Sequence, residues 1–213
     1  IAKFVNKLRL NIMKKMILFT GLFLFLAMPQ MLKAQVTDDE TVIFNAVLGG
    51  AFNLVVVDGD VQTATFNSAD DYNFGVSEIL GTPGIDPGYT TLSMEATGNW
   101  FLEISAPDFT PVTGSGLITI DNVGLWCEAT GIHQFGIEVT CAYQSADAAL
   151  GLTNAPVTLI DLGTGNSGDA NDNLFVLHWL MGTMQGTMNA QSMFAQLSAG
   201  AFTMGTYTTT ILL

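Results

Sequence analysis

TTLSMEATGNWFLEIS, residues 90–105, holds two β-like runs, Thr90–Ala96 and Trp100–Ser105, on either side of Thr97-Gly98-Asn99. Alternating apolar and polar residues bounded by a polar, glycine-containing turn are read as strands, and this stretch as a hairpin. The same pattern recurs outward in both directions. Upstream, Thr41–Leu48 alternates with Val42, Phe44, Ala46 and Leu48 on one face and stops at Gly49-Gly50. Phe52–Val57 and Val61–Phe66 flank Asp58-Gly59-Asp60, an Asp-Gly hairpin signal. Asn67–Gly75 and Gly81–Gly88 are turn-rich. Downstream, Leu117–Ile120, Val123–Ala129, Gln134–Tyr143, Ala155–Leu162, Leu174–Leu180 and Thr206–Leu213 read as further strands. One helix is expected, capped by Asn189, with Met193, Phe194 and Leu197 on one face and Gly200 as its stop. A further helical turn is expected within Asp147–Leu152. About eleven short strands with one short helix in the C-terminal half predict an all-β fold, an antiparallel β-sandwich, with a closed barrel as the alternative.

Charge divides the chain sharply. All six basic residues lie at or before Lys33, and all 19 carboxylates lie at or after Asp38, so the net −13 averages two unlike parts. Residues 13–34 have the order of a secretory signal peptide. Lys14-Lys15 is followed by the apolar run Ile17–Met28 and a small-residue end at Ala34. That run is too short to span a bilayer, which takes roughly 20 apolar residues. Residues 1–12 read as upstream read-through, 35–50 as an N-terminal strand segment and 51–213 as one sandwich domain. The expected product is secreted, extracellular or at the cell surface, without membrane insertion after cleavage.

A body from Gln35 to Leu213 with no lysine or arginine is a poor partner for nucleic acid or an anionic membrane. It has no lysine amine for an isopeptide cross-link. Its carboxylates repel one another, which predicts greater stability near pH 4–5 than at pH 8. Cys127 and Cys141 are expected to pair as a disulfide in an oxidising exterior, with two buried free thiols as the alternative.

No enzyme is expected. Ser167 lies in Gly165-Asn166-Ser167-Gly168-Asp169, which lacks the spacing of a nucleophile elbow. His178 sits between Leu177 and Trp179 as a packing residue, and His133 lies in a turn. Trp100, Trp126 and Trp179 are read as core, with a sugar platform as the alternative. No cofactor is required. The oxygen-rich stretch Asp161–Asn173 offers Asp161, Asp169, Asn171 and Asp172 as calcium ligands, since calcium takes six to eight oxygens. A plain surface turn is the alternative reading.

The terminal segment Gly205-Thr206-Tyr207-Thr208-Thr209-Thr210-Ile211-Leu212-Leu213 resembles the closing strand of bacterial pilin-like and spore-coat-U-like surface proteins of Bacteroidota. Thr91–Ala96 with Asn99–Ile104 resembles their central hairpin. The resemblance implies an immunoglobulin-like sandwich built into surface filaments, in which a subunit completes its fold with a neighbour's strand. Val42, Phe44, Ala46 and Leu48 are then the inserted side chains, and Tyr207, Ile211 and Leu213 lie on the closing strand. The alternative is that Thr41–Leu48 is the first strand of its own domain. The function so implied is a secreted structural subunit whose partners are copies of itself. A secreted adhesin or carbohydrate-binding sandwich, calcium-dependent, is the competing expectation.

Overall fold

The computed structural model describes residues 51–77 and 88–213. The leader, the signal peptide at 13–34, the segment 35–50 with Val42, Phe44, Ala46 and Leu48, and most of the Gly81–Gly88 loop lie outside the described residues.

Among the described residues, eleven strands run in chain order: β1 (Phe52–Asp58), β2 (Val76–Ser77), β3 (Tyr89–Ala96), β4 (Leu102–Ile104), β5 (Thr110–Pro111), β6 (Val123–Ala129), β7 (Val139–Thr140), β8 (Leu150–Gly151), β9 (Val157–Leu162), β10 (Gly168–Met181) and β11 (Tyr207–Thr208). The principal sheet has the order β1-β3-β10-β6-β8, with β2 paired to the far end of β10. A second sheet has the order β4-β9-β7, and β5 pairs with β11. Every named strand pair is antiparallel. The all-β, sandwich-like class read from the alternation is what the chain adopts.

The alternation explains the layering. Leu92, Met94 and Ala96 of β3, Leu125 and Cys127 of β6, and Phe175, Leu177 and Trp179 of β10 all point inward. They meet Leu102 and Ile104 of β4, Val139 of β7, and Leu159 and Ile160 of β9 in one core. Each large side chain so buried is worth about 1.5–3 kcal/mol, which makes this contact between sheets the main source of stability.

Several local expectations are corrected. Thr97-Gly98-Asn99 does not close a hairpin. β3 pairs with β1 and β10, whereas β4 pairs with β9, so the turn carries the chain from one layer to the other. Val61–Phe66 forms no named strand. Gln62 donates through Nε2 to the carbonyls of Gly59 and Tyr89, both at 2.8 Å, folding the chain back along the start of β3. Phe66 then leaves to pack on Tyr72 in a separate cluster with Ile118, Met193 and Phe202. Of Gln134–Tyr143, only Val139–Thr140 is a strand. Leu117–Ile120 contains no named strand, and Ile120 begins a 3-10 turn instead.

Two short helices are present among the described residues, not one. The expected helix, α2 (Met193–Ser198), starts at Ser192 rather than Asn189, because the Ser192 hydroxyl accepts from the Ala195 amide. The other, α1 (Ala69–Phe74), lies in the stretch read as a turn. Ser68 and Asp71 form a reciprocal capping box there, a signature written in Ser68-Ala69-Asp70-Asp71. Gly75 ends α1 at φ +79°, and a Cβ at this position would lie 2.4 Å from the carbonyl carbon of Gly182. The expected turn near residue 147 is a 3-10 turn at Ala146–Ala148.

Candidate functional site

β1 is the outermost strand of the principal sheet among the described residues. It pairs with β3 from Phe52↔Ala96 to Val56↔Leu92, then slips by one residue before Asp58↔Thr91. Phe52 and Leu54 reach the core only partly covered, and Val55, Val56 and Val57 are exposed at 42%, 38% and 57%. The strand is nevertheless firmly placed. Asn53 donates to Glu95 at 3.3 Å, and the Ala51 amide donates to the Thr97 hydroxyl at 3.0 Å. At its other end the Asp58–Gly59 turn is held to Tyr89 and Thr90 by Gln62 and by the Thr90 hydroxyl, which donates to Gly59 at 2.7 Å.

The C-terminal residues pack within their own chain, and of the expected strand Thr206–Leu213 only Tyr207–Thr208 forms one. Tyr207 lies on β11 opposite Pro111, and its hydroxyl donates to the carbonyls of Ser115 and Thr203 at 2.7 and 2.8 Å. Ile211 and Leu213 pack against the main core. Leu212 exchanges two backbone hydrogen bonds with Ser105, of 3.0 and 2.8 Å, and so lies beside the end of β4.

The four oxygen-bearing residues divide into two places. Asp161 is on β9, opposite Thr140, and accepts from the Leu162 amide at 2.7 Å. Asp169, Asn171 and Asp172 lie in an irregular stretch of β10 where the register with β3 slips between Gly168 and Asn173. There Asp169 accepts from the amides of Asn171 and Asp172, and Asp172 accepts from the amide of Asp169. Among the described residues no group of three or more His, Cys, Asp or Glu is arranged to hold a metal ion.

This use of carboxylates is general. Asp71 accepts from the amides of Asn67 and Ser68, Asp108 from Ile120, and Glu138 from Gln134. Without lysine or arginine, backbone N–H groups take the place of cationic partners. The Gln134 amide, followed by its own backbone amide, holds the Glu138 carboxyl below the usual range. Desolvation opposes this, and the nearby His133 adds a weaker downward pull.

Trp100 and Trp179 are core residues. Trp126 is half-buried on the other side of the principal sheet, where His178 stacks on its ring at 3.9 Å and 7°. His178 Nε2 lies 3.4 Å from Glu128 Oε2. Tyr89, opposite His178 on β3, is 46% exposed and extends this row. Cys127 and Cys141 are both buried free thiols. Sequence reading missed Asn166, which is fully buried against Trp100, and the reciprocal amide pair of Asn122 and Gln196. A buried amide carries no periodic signal, so only its partner reveals it.

Among the described residues no helix is long and apolar enough to cross a membrane. No protein-family model matches the chain, and no curated protein matches it.

Proposed function

We propose that this chain is a secreted structural subunit that assembles with copies of itself into an extracellular filament or surface layer by strand complementation. No catalysis is assigned to it. One observation supports the reading: among the described residues β1 is the outermost strand of its sheet, with Leu54 half-buried and Val55–Val57 exposed. Edge strands invite pairing with another chain unless they are blunted, commonly by lysine, proline or inward charge. Between Phe52 and Val57 there is no lysine, proline or charged residue. A strand laid along β1 would gain a backbone ladder and cover that half-open apolar row.

The occupant assigned is residues 41–48 of a neighbouring copy, with Val42, Phe44, Ala46 and Leu48 as the inserted row. Gly49-Gly50 and Ala51 join the same segment to β1 in its own chain. Pairing within one chain is therefore the direct competitor. Electron microscopy and light scattering of the secreted full chain decide between them. Donation in trans gives polymers from the full chain, monomers from a chain lacking residues 36–48, and recapture of a synthetic 36–48 peptide by that shortened chain. A full chain that stays monodisperse and monomeric overturns the reading.

A second reading, a secreted adhesin or carbohydrate-binding module, is favoured by Tyr89. It is the exposed end of a cross-strand row with His178 and Trp126. His178 covers one face of Trp126, so Tyr89 is the aromatic in this row left open for stacking on a sugar. Loss of glycan binding on Tyr89→Ala, with polymer formation unchanged, would separate this reading from the first.

A further inference from the structure

Cys127 and Cys141 come from different layers of the sandwich. Cys127 lies on β6 and faces the core, and Cys141 directly follows β7 of the second sheet. Tyr143 holds them together. Its carbonyl accepts from the Cys127 amide at 2.6 Å, and its own amide donates to Cys141 Sγ at 3.3 Å. Both side chains lie in the same core cluster. They are the chain's two cysteines, so neither has another thiol of its own chain to meet.

The two sulfurs are not equivalent. Cys127 is 1% exposed and lies within the β6 ladder, between β10 and the Tyr143 segment. Cys141 is 7% exposed, and its chain neighbours Thr140 and Ala142 are open to solvent. Burial pushes the Cys127 thiol up, and Cys141 beside it adds to the rise. Cys127 pulls the Cys141 thiol down against its own burial, and the Tyr143 amide adds to the pull. A thiolate is the nucleophile in disulfide chemistry, so access and thiolate character favour the same residue.

We propose that this pair is a thiol–disulfide exchange site that closes a covalent link between the two sheets, with Cys141 attacking first and Cys127 resolving. The oxidant is a small external disulfide, RS–SR. The Cys141 thiolate attacks one of its sulfurs, forming Cys141–S–SR and releasing RS⁻. Cys127 passes its proton to the released thiolate, and its sulfur attacks the Cys141 sulfur. That breaks the mixed disulfide and expels the second RS⁻, which is protonated by the proton Cys141 first gave up. Two protein thiols are oxidised to one disulfide, and RS–SR is reduced to two RSH. This step is independent of polymerisation, so each proposal can fail alone.

Oxidised glutathione is the probe, used on the full chain. After incubation, denaturation with N-ethylmaleimide and intact-mass measurement should show a chain two hydrogens lighter, with no alkylation until reduction. The melting temperature should fall by roughly 6–12 °C when reductant is added, as expected for releasing a loop of about 15 residues in a domain of this size. Cys127→Ser, which keeps Cys141, should take up one glutathione at least about tenfold faster than Cys141→Ser. Two alkylated thiols in the glutathione-treated native chain overturn the link. Faster uptake by Cys141→Ser overturns the order of attack, and the native-chain mass stands even if either variant fails to fold.

Discussion

Asn166 and Trp100 are joined by three hydrogen bonds. The Trp100 amide donates to Asn166 Oδ1 at 3.0 Å, Asn166 Nδ2 donates to the Trp100 carbonyl at 2.8 Å, and the Trp100 indole donates to the Asn166 carbonyl at 2.7 Å. Trp100 lies where the chain passes from β3 in the principal sheet to β4 in the second. Asn166 lies where it returns from β9 to β10. The two crossings between layers are thus tied to each other at a point sealed from water.

Asn166→Ala removes two of the three bonds and leaves the buried amide and carbonyl of Trp100 without them. Each buried polar group left unsatisfied costs about 1–3 kcal/mol. The expected loss is about 3 kcal/mol in denaturant titration, followed by tryptophan fluorescence. A loss below about 1 kcal/mol would mean that the crossings are held by apolar packing alone.

Val55→Lys combined with Val57→Lys places two cations on the exposed edge of β1. Surface substitutions of this kind usually change stability by under about 0.5 kcal/mol each. Monomer melting should therefore change little, while polymer mass measured by light scattering should fall severalfold or vanish. Polymer from the native chain should form faster as salt rises from about 0.05 to 0.5 M, because the copies are acidic and repel one another. Unchanged polymerisation by the double variant would remove β1 as the receiving edge.

Glu138 gives a pH test with a definite sign. Its folded carboxyl titrates below the unfolded value, so its contribution is present above about pH 4.3 and is lost as pH falls through the folded value. The melting temperature of the native chain should exceed that of Glu138→Gln at pH 7, and the gap should close at the acid end of the series. A gap that widens on acidification would contradict the assignment of the Gln134 amide as the cause.

Calcium separates the two functional readings further. Asp161, Asp169 and Asp172 already accept from backbone amides of their own turns. Adding about 1 mM calcium, then excess chelator, should leave the melting temperature within about 2 °C. By linkage, saturation at a hundred times the dissociation constant would add about 2.7 kcal/mol, or several degrees. A shift of that size would instead favour the calcium-dependent binding module.

By itself the sequence determined the class of the fold. Alternation placed β1, β3, β6 and β9 within a few residues. It also determined the absence of lysine and arginine after Lys33, and hence that the carboxylates would need other partners. These features are local, because period and charge are written residue by residue. Tertiary structure decided which strand lies beside which. The Thr97-Gly98-Asn99 turn became a crossing, Val61–Phe66 was drawn off by Gln62 and Tyr72, and the oxygen-rich stretch joined β10 as an irregular extension. It also buried Trp100 against Asn166, 66 positions away in the chain. A strand's alternation specifies a face but not a neighbour. The neighbour is chosen by which distant apolar faces close one core with their buried polar groups satisfied.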